Sequence, residues 1–162
     1  MPGGPHRYAS WPDQSVRWAI DFTLGFFHGR ASLRQEVERR LDIGPLLDAT
    51  IGSLSKGQRK RALLAIGLLM PQPMLLADEP FDGLDLRQSR DVAQTLRSYA
   101  SEGRTMFLSI HQIKDAARVC DRFVLISGGS IRGEGTFEQL ASQAASRGAA
   151  TSDLEEVFLA LT

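Results

Sequence analysis

The sequence has a single cysteine, no surplus of either charge and no long apolar run. Cys120 alone cannot form an intrachain disulfide or a cysteine-based zinc site, which fits a reducing compartment. The 19 basic and 19 acidic residues cancel, so the chain lacks the positive charge expected of a protein whose main partner is nucleic acid. The longest apolar run, residues 62–70, is far shorter than the roughly 20 residues that span a bilayer. Residues 1–6 also lack the basic start of a secretion signal. These absences favour protein or small-molecule partners and predict that the chain does not cross a membrane unaided.

A phosphate-binding loop is also missing. No G-x-x-x-x-G-K-[ST] sequence occurs in the 162 residues, so the chain has no glycine-rich loop and lysine to grip a nucleotide within the same subunit. Its length corresponds to one domain, which is enough to hold a core of its own. A function that involves a nucleotide therefore has to be explained without a phosphate-binding loop in this chain.

The chain before Pro71 has the periodicity of helices. Apolar residues recur at three- and four-residue spacing after Asp13 or Ser15 and again after Ser32, and a third helix is predicted over residues 59–70. The predicted buried positions are Val16, Ile20, Leu24 and Phe27 in the first helix, Leu33, Val37 and Leu41 in the second, and Leu63, Leu64, Ile66 and Leu68 in the third.

Short apolar runs after Pro71 predict strands buried on both faces, at residues 74–77, 105–110 and 123–126. Helical stretches separate them, with predicted buried faces at Val92, Leu96 and Tyr99, then at Ile113, Ala117 and Cys120. This alternation indicates an α/β fold with a mostly parallel sheet, preceded by an α-helical subdomain. A turn at residues 128–129 leads to a last short strand near Ile131, and residues 141–150 read as a linker before an amphipathic segment at Leu154–Leu161.

Two carboxylates, Asp78 and Glu79, follow the first predicted strand. Chemistry in open parallel sheets gathers at the carboxyl ends of strands. Alternation along the strand would point the two side chains to opposite sides, so that one could hold Mg²⁺ through its water shell and the other could face an attacking water. The alternative is a strand that simply ends in solvated charges.

His111 follows the second predicted strand and is therefore expected at the same edge of the sheet. A neutral imidazole there could hydrogen-bond a terminal phosphate or orient the water held by Glu79. The alternative is an exposed loop histidine.

Ser55, Gly57 and Gln58 precede the third predicted helix. A hydroxyl and unobstructed backbone N–H groups at the positive end of a helix dipole offer a phosphate contact. An ordinary N-cap explains the same residues, and the pentapeptide alone does not separate the two.

The order of four segments resembles that of the signature, Walker B, D-loop and switch segments of ATP-binding-cassette (ABC) ATPases. The four are residues 54–59 (Leu-Ser-Lys-Gly-Gln-Arg), 78–80 (Asp-Glu-Pro), 83–85 (Gly-Leu-Asp) and His111. The resemblance runs from about Tyr8 to the C-terminus, and residues 153–159 resemble the end of ATPase subunits that energise two-component exporters. It implies an incomplete RecA-like P-loop NTPase core.

The resemblance implies a role for each matched residue. Asp78 would be the magnesium-side carboxylate, Glu79 the general base and His111 the switch residue near the terminal phosphate. Asp85 would bridge two facing subunits. Ser55, Gly57 and Gln58 would form the signature, which in this family contacts ATP held by the other subunit of a head-to-tail pair.

The family context implies partners and boundaries as well. We expect ATP and Mg²⁺ as cofactors, a second ABC ATPase subunit and a membrane permease as partners, and no nucleic acid. The chain would then lie in the cytoplasm, peripheral on the inner face of the membrane. Its predicted segments are a coupling-loop remnant (1–12), a helical subdomain with the signature (13–70), a RecA-like half (71–140) and a linker with a C-terminal helix (141–162).

The sequence departs from the family pattern in several places. Lys56 replaces the first glycine of the commonest signature, and Ile110 precedes His111 where a small hydroxylated residue is more usual. Residues 1–7 contain no coupling-loop glutamine, and Gln14 comes too late to replace it. The phosphate loop, its strand and the aromatic residue that stacks on adenine are absent.

Three functional hypotheses follow. The chain is part of an ATP-hydrolysing transporter subunit with Glu79 as base, and it is expected to be inactive alone. Alternatively, it is a non-catalytic subunit that lends Ser55 and Gly57 to a partner's ATP site. A soluble ABC ATPase acting on nucleic acid or ribosomes is disfavoured by the neutral charge. Because the phosphate-loop strand lies beside the Asp78 strand in this family, its absence would expose an apolar sheet edge. Either a further polypeptide supplies that strand, or the chain is a piece of a longer gene product, or the isolated protein is poorly behaved. The start at residues 1–5, which is arbitrary relative to the family pattern, favours a piece of a longer gene product.

Overall fold

The computed structural model of the protein describes residues 11–148 and 153–162. The chain forms two units, of which the first ends at Ser109 and the second runs from Ile110 to Thr162. The division falls after Ser109. The segment boundaries after residues 12, 70 and 140 stay a prediction. Residues 1–10, most of the predicted coupling-loop remnant, lie outside the described part.

The first unit begins with three helices, as the periodicity predicts. They are α1 (Val16–Phe26), α2 (Arg34–Arg40) and α3 (Lys56–Leu69), with short 3₁₀ turns at Ala31–Leu33, Gly44–Leu46 and Ile51–Ser53. The hydroxyl of Ser15 accepts a hydrogen bond from the Trp18 N–H and caps α1. The predicted helical character of this part of the chain is confirmed for the residues that the structure describes.

The buried side of α3 differs from the predicted one. Leu64 and Leu68 are buried as predicted, but Leu63 is 42% exposed and Ile66 is only half-buried. Helices α1 and α2 pack against α3, and small side chains allow that approach. The buried positions of α3 are Gly57, Arg61, Ala62, Leu64, Ala65, Leu68 and Leu69.

A strand–helix–strand unit follows. Strand β1 (Met74–Asp78) pairs in parallel with β2 (Thr105–Ser109), and α4 (Leu86–Ser101) connects them. The register aligns Leu76 with Phe107 and Asp78 with Ser109. Helix α4 buries Val92, Leu96 and Tyr99 as predicted. The parallel arrangement predicted for the first two strands is therefore confirmed.

The two strands are not buried on both faces, contrary to the sequence prediction. Leu76 is 70% exposed, and its neighbour across the ladder, Phe107, is 60% exposed. Leu75 points to the other face, where a Cβ on Gly67 of α3 would lie 2.9 Å from Leu75 Cδ1. Helix α3 therefore covers the Leu75 face, whereas the Leu76 face is exposed to solvent within the described part of the chain.

Two buried arginines close helix ends in the first unit. Arg104 is 7% exposed, and its guanidinium donates hydrogen bonds to the carbonyls of Gly67 and Leu68, both at 2.8 Å. Arg61 donates to the Leu41 carbonyl at 2.8 Å. These carbonyls belong to the ends of α3 and α2, where the helix offers few backbone N–H groups to bond them. The Gly67 carbonyl also accepts from the N–H of Met70, the C-cap of α3, at 3.4 Å. Burial lowers the pKa of Arg104, but a guanidinium stays charged at neutral pH.

The second unit contains α5 (Ile113–Val119), β3 (Phe123–Ser127), β4 (Ser130–Gly135), α6 (Phe137–Ala145) and α7 (Leu154–Leu161). Strands β3 and β4 pair antiparallel, so the last strand predicted near Ile131 is confirmed. The partner of β3 in this hairpin runs antiparallel, whereas the sequence predicted a mostly parallel sheet. The core of this unit consists of Leu125, Leu140, Ala144, Leu154, Val157 and Leu161.

Two sequence predictions for the second unit are wrong. Residues 141–145 of the predicted linker continue α6, because Thr136 caps its first turn and Ala144 is buried in the core. In α5, Ala117 is exposed, and the buried positions are Asp115 and Val119. Helix α5 packs against α7, and the pattern of a seven-residue helix does not show which side that contact takes.

Helix α1 carries a row of partly exposed aromatic side chains. Trp18, Phe22 and Phe26 follow at four-residue spacing, and their neighbouring rings stack with centroids 5.1 and 5.3 Å apart. Ile20 of the same helix is fully buried, so α1 has apolar side chains on more than one side. Within the described residues, neither α1 nor any other helix is both long and apolar enough to cross a membrane.

We expect Arg104→Ala to lower the free energy of unfolding by about 2 to 4 kcal/mol, because it removes a buried side chain and the guanidinium donors of the Leu68 and Gly67 carbonyls at the end of α3. Urea titration followed by far-UV circular dichroism measures this change. The matched control is Arg90→Ala on exposed α4 surface, which should change stability by less than about 0.5 kcal/mol. Equal effects of the two substitutions would contradict the proposed capping.

Adjacent leucines of β1 should respond differently to threonine, which keeps the β-propensity of the strand. Leu76→Thr should leave stability nearly unchanged and reduce concentration-dependent association, because it removes exposed apolar surface. Leu75→Thr should cost about 1 to 2 kcal/mol, because Leu75 packs on α3. Urea titration and analytical ultracentrifugation of both variants measure these effects, and unchanged association of Leu76→Thr would contradict the first expectation.

Candidate functional site

Asp78 is the last residue of β1 and lies opposite Ser109 of β2. The Ser109 hydroxyl donates a hydrogen bond to Asp78 Oδ1. The backbone carbonyl of Asp78 accepts a hydrogen bond from Lys60 Nζ at 2.5 Å. The Asp78 side chain is exposed at the carboxyl end of the strand, where the sequence predicts it.

Glu79 lies outside β1, in a left-handed backbone conformation with φ of 49°. Its N–H donates to the Ser109 carbonyl at 3.0 Å, which continues the ladder by one bond. The strand thus ends between Asp78 and Glu79, so alternation along a strand does not set the direction of the Glu79 side chain. A positive φ is uncommon for residues other than glycine and adds strain at this position.

The residues at the end of β1 fit a magnesium ion that is shared with phosphate oxygens. Mg²⁺ takes one or two protein carboxylates and keeps several waters or phosphate ligands. Asp78 supplies one carboxylate, and the Ser109 hydroxyl fixes one of its oxygens. No cluster of three or more histidine, cysteine or acidic side chains able to hold a metal occurs in residues 11–148 and 153–162.

A tight turn links β1 to α4. Asp82 N–H donates to the Glu79 carbonyl at 3.2 Å, and Leu84 N–H donates to the Phe81 carbonyl at 3.2 Å. Phe81 is buried and anchors the turn. Asp85 ends it as the N-cap of α4, where its carboxylate accepts from the Gln88 N–H at 2.8 Å.

The predicted signature lies at the N-terminus of α3. Ser55 caps the helix: its hydroxyl accepts from the Gln58 N–H at 3.3 Å, and Gln58 Oε1 accepts from the Ser55 N–H at 2.9 Å. Because Ser55 Oγ serves as an acceptor in this capping box, its own hydrogen remains able to donate. Ser55 is exposed at the positive end of a 14-residue helix.

Gly57 is buried, although the sequence suggested unobstructed backbone around it. A Cβ built on Gly57 would overlap the Gly83 carbonyl oxygen. Gly83 has φ of 81°, and a Cβ there would lie 3.2 Å from the Gly57 nitrogen. The structure thus brings the signature and the D-loop into direct backbone contact, and Lys56 adds an ion pair with Asp82 at 2.5 Å.

The site residues are divided between the two units. Ser55, Asp78 and Asp85 belong to the first unit together with their neighbours in the motifs, whereas His111 belongs to the second. His111 is exposed and follows β2 by two residues. The convergence of His111 with the acidic pair stays a prediction.

Sequence reasoning missed two features of this site. Reciprocal capping boxes start α3, α4 and α6, and the signal for them was present as Ser, Asp or Thr followed three residues later by Gln. The contacts of Lys56 and Lys60 with the 78–82 segment had no sequence signal, because they depend on how α3 packs beside β1.

We expect Gly57→Ala to destabilise the protein by about 1 to 3 kcal/mol, because the added methyl group overlaps a backbone oxygen of Gly83. The matched control is Gly25→Ala in α1, where a Cβ meets no atom within 4 Å. That control should stabilise by about 0.5 to 1 kcal/mol through helix propensity. Thermal and urea unfolding measure both changes, and a stabilised Gly57→Ala would show that the two backbones do not touch.

The family match and the related proteins agree on the kind of protein that this chain resembles. The family described as ABC transporter matches residues 12–82. ABC transporter G family member 20 of Dictyostelium discoideum is 33% identical over 150 residues, 88% of this chain and 20% of that protein. Thiamine import ATP-binding protein ThiQ of Escherichia coli strain K12 is 37% identical over 115 residues, 70% of this chain and 49% of that protein. The chain thus spans a fifth of the first relative and about half of the second.

A solved structure gives the same result for the fold. The ATP binding subunit of an ABC transporter aligns with a TM-score of 0.80 and 21% identity, over 99% of this chain and 66% of that chain. This alignment confirms the predicted α/β, RecA-like fold class. The matched segment, the relatives and the shared fold support an ABC transporter ATPase, in agreement with the order of the motifs.

Proposed function

We propose that this chain is part of the ATP-hydrolysing subunit of an ABC-type membrane transporter. The observation that carries the proposal is the direct contact between the signature turn and the segment after β1, which holds Ser55 and Glu79 in one unit. ATP and Mg²⁺ are the proposed cofactors. A permease would hold the chain at the cytoplasmic face of the membrane.

Three residues have proposed roles in ATP hydrolysis within this chain. Asp78 would hold Mg²⁺ through its exposed carboxylate, which the Ser109 hydroxyl orients. Glu79 would accept the proton of the attacking water, a step worth roughly a hundred- to ten-thousandfold in rate. His111, from the second unit, would contact the terminal phosphate.

The signature residues would act on a neighbouring subunit. Ser55 is exposed, and its hydroxyl hydrogen is available for a phosphate oxygen held by the partner of a head-to-tail pair. Asp85 would bridge the two subunits beside its capping role in α4. Gln58 Oε1 accepts in the capping box, so its side-chain amide N–H groups remain able to donate to the same phosphate.

The phosphate loop has to come from elsewhere in the assembly. The exposed Leu76 and Phe107 face supports a further polypeptide segment packed on this sheet, because soluble proteins rarely leave adjacent large apolar side chains uncovered. We propose that this segment carries the phosphate loop and that the present chain is inactive without it.

A second candidate is a non-catalytic subunit that donates its signature to a partner's ATP site. The exposed Ser55 supports it, because that contact requires nothing from the chain's own Glu79. A role on nucleic acid or ribosomes has weaker support. An archaeal ribosome recycling factor, aABCE1, solved in complex with a ribosomal stalk protein, shares the fold with a TM-score of 0.66 and 23% identity over 76% of this chain and 24% of that chain. The neutral net charge provides no attraction to nucleic acid.

The direction of transport is proposed as export. Its support is the resemblance of the C-terminal segment to exporter ATPases, and α7 forms in that segment. One relative, the thiamine import ATP-binding protein, is named for transport in the opposite direction. The two families of transporter share the ATPase architecture, so the direction rests on the C-terminal segment.

We expect the purified chain alone to show no ATP turnover and no tight ATP binding, because no phosphate loop is present. Addition of an intact ABC partner subunit should restore hydrolysis. Isothermal titration with Mg²⁺–ATP and a phosphate-release assay measure the two effects. Tight ATP binding by the monomer would refute the proposed dependence.

Substitutions in the restored pair separate the two candidates. If the chain is a donor, Ser55→Ala should lower turnover more than Glu79→Gln does, and the reverse ranking supports a catalytic Glu79. Ser55→Asp keeps the N-cap and places a negative charge near the triphosphate, so it should abolish turnover without loss of stability. Ser53→Ala, an exposed serine outside the signature, is the control and should leave turnover unchanged.

A further inference from the structure

Two lysines of α3 contact the segment that surrounds Glu79. Lys56 Nζ pairs with Asp82 Oδ2 at 2.5 Å, and Lys60 Nζ donates to the Asp78 carbonyl at 2.5 Å. Lys56 and Lys60 are four residues apart and therefore lie on the same side of the helix. Their partners lie before and after Glu79 in the chain.

The stem of Lys56 also covers the turn. A Cβ on Gly83 would lie 3.3 Å from both Cβ and Cγ of Lys56. The stem of the side chain therefore lies against Gly83, and its ammonium group pairs with Asp82. A glycine at position 56, the residue of the commonest signature, would supply neither the apolar cover nor the ion pair.

Glu79 itself is held in an unfavourable backbone conformation. Its φ of 49° lies in the left-handed region, which costs a residue with a side chain free energy that its surroundings must offset. The Asp78 carbonyl on one side and the Asp82 carboxylate on the other are both fixed by ammonium groups of α3. The strained residue thus lies between two points of the chain that lysine ammonium groups hold.

We propose that Lys56 and Lys60 are positioning residues that clamp the Asp78–Asp82 turn to the N-terminus of α3. The clamp keeps Glu79 in its left-handed conformation and keeps the turn at a fixed distance from Ser55. Its consequence for catalysis rests on the proposed function of Glu79 and Ser55. The clamp itself does not depend on the proposed function, because no nucleotide takes part in the contacts of Lys56 and Lys60.

Amide hydrogen exchange on the full chain tests the clamp without ATP. Lys56→Ala should speed exchange of the Asp82 and Leu84 amides, whose hydrogen bonds close the turn, by about two- to fivefold, the range for an exposed ion pair. Lys60→Ala should speed exchange of the Glu79 amide to a similar extent. The urea midpoint should shift only slightly in both variants, by the same small loss of native stability that speeds exchange, because Lys56 is 65% exposed in its side chain and the core is untouched.

Conservative and charge-swapped variants separate positioning from a general loss of structure. Lys56→Arg should keep exchange at the wild-type rate, and Lys56→Asp combined with Asp82→Lys should restore it relative to either single change. The matched control is Arg17→Ala, which breaks the exposed Arg17–Asp48 pair at 2.9 Å and should not affect the turn.

Two results would overturn the clamp. One is exchange at Asp82 and Leu84 that stays at the wild-type rate in Lys56→Ala. The other is a charge-swapped pair that exchanges as fast as the single variants. Failure of ATP turnover in the restored pair, with the expected exchange pattern present, would reject the proposed function and leave the clamp supported.

Discussion

The close contact of Gly57 with Gly83 is the constraint on which the candidate site depends. It lets the N-terminus of α3 meet the turn after β1 backbone to backbone, with no side chain between them. The two polar segments are separated by the whole of α3 and β1 along the chain, yet they adjoin in space. Any side chain at residue 57 or 83 would push the segments apart, and Gly83 also needs the positive φ that glycine adopts without strain.

Several residues of the site have a structural task that the family resemblance does not describe. Ser55 and Asp85 are N-caps, and Gln58 completes one of the capping boxes. These tasks are compatible with the proposed roles, because a capping hydroxyl still has a hydrogen to donate and a capping carboxylate has a second oxygen. An alanine at Ser55 or Asp85 would remove both the cap and the proposed contact with the partner subunit. A substitution that keeps the N-cap is therefore needed to separate the loss of stability from the loss of function.

The exposed face of the β1–β2 pair agrees with the absence of a phosphate loop from this chain. A parallel pair in an α/β protein is ordinarily covered on both faces, and here α3 packs against Leu75 while Leu76 and Phe107 contact solvent. The relatives that the chain matches extend well beyond the matched region. Both observations agree with a site that is completed by other polypeptide.

The sequence by itself determined the helical first part, the parallel β1–β2 pair, the buried face of α4 and the motif order that resembles that of ABC ATPases. These features follow from local spacing, since periodicity and residue order are properties of the chain alone. Tertiary structure decided the rest. Burial of Gly57, exposure of Leu76, the extension of α6 beyond residue 140 and the contacts of Lys56 and Lys60 all depend on which surfaces meet. The left-handed conformation of Glu79 belongs to this group too, because it occurs where β1 ends and a tight turn begins beside the N-terminus of α3.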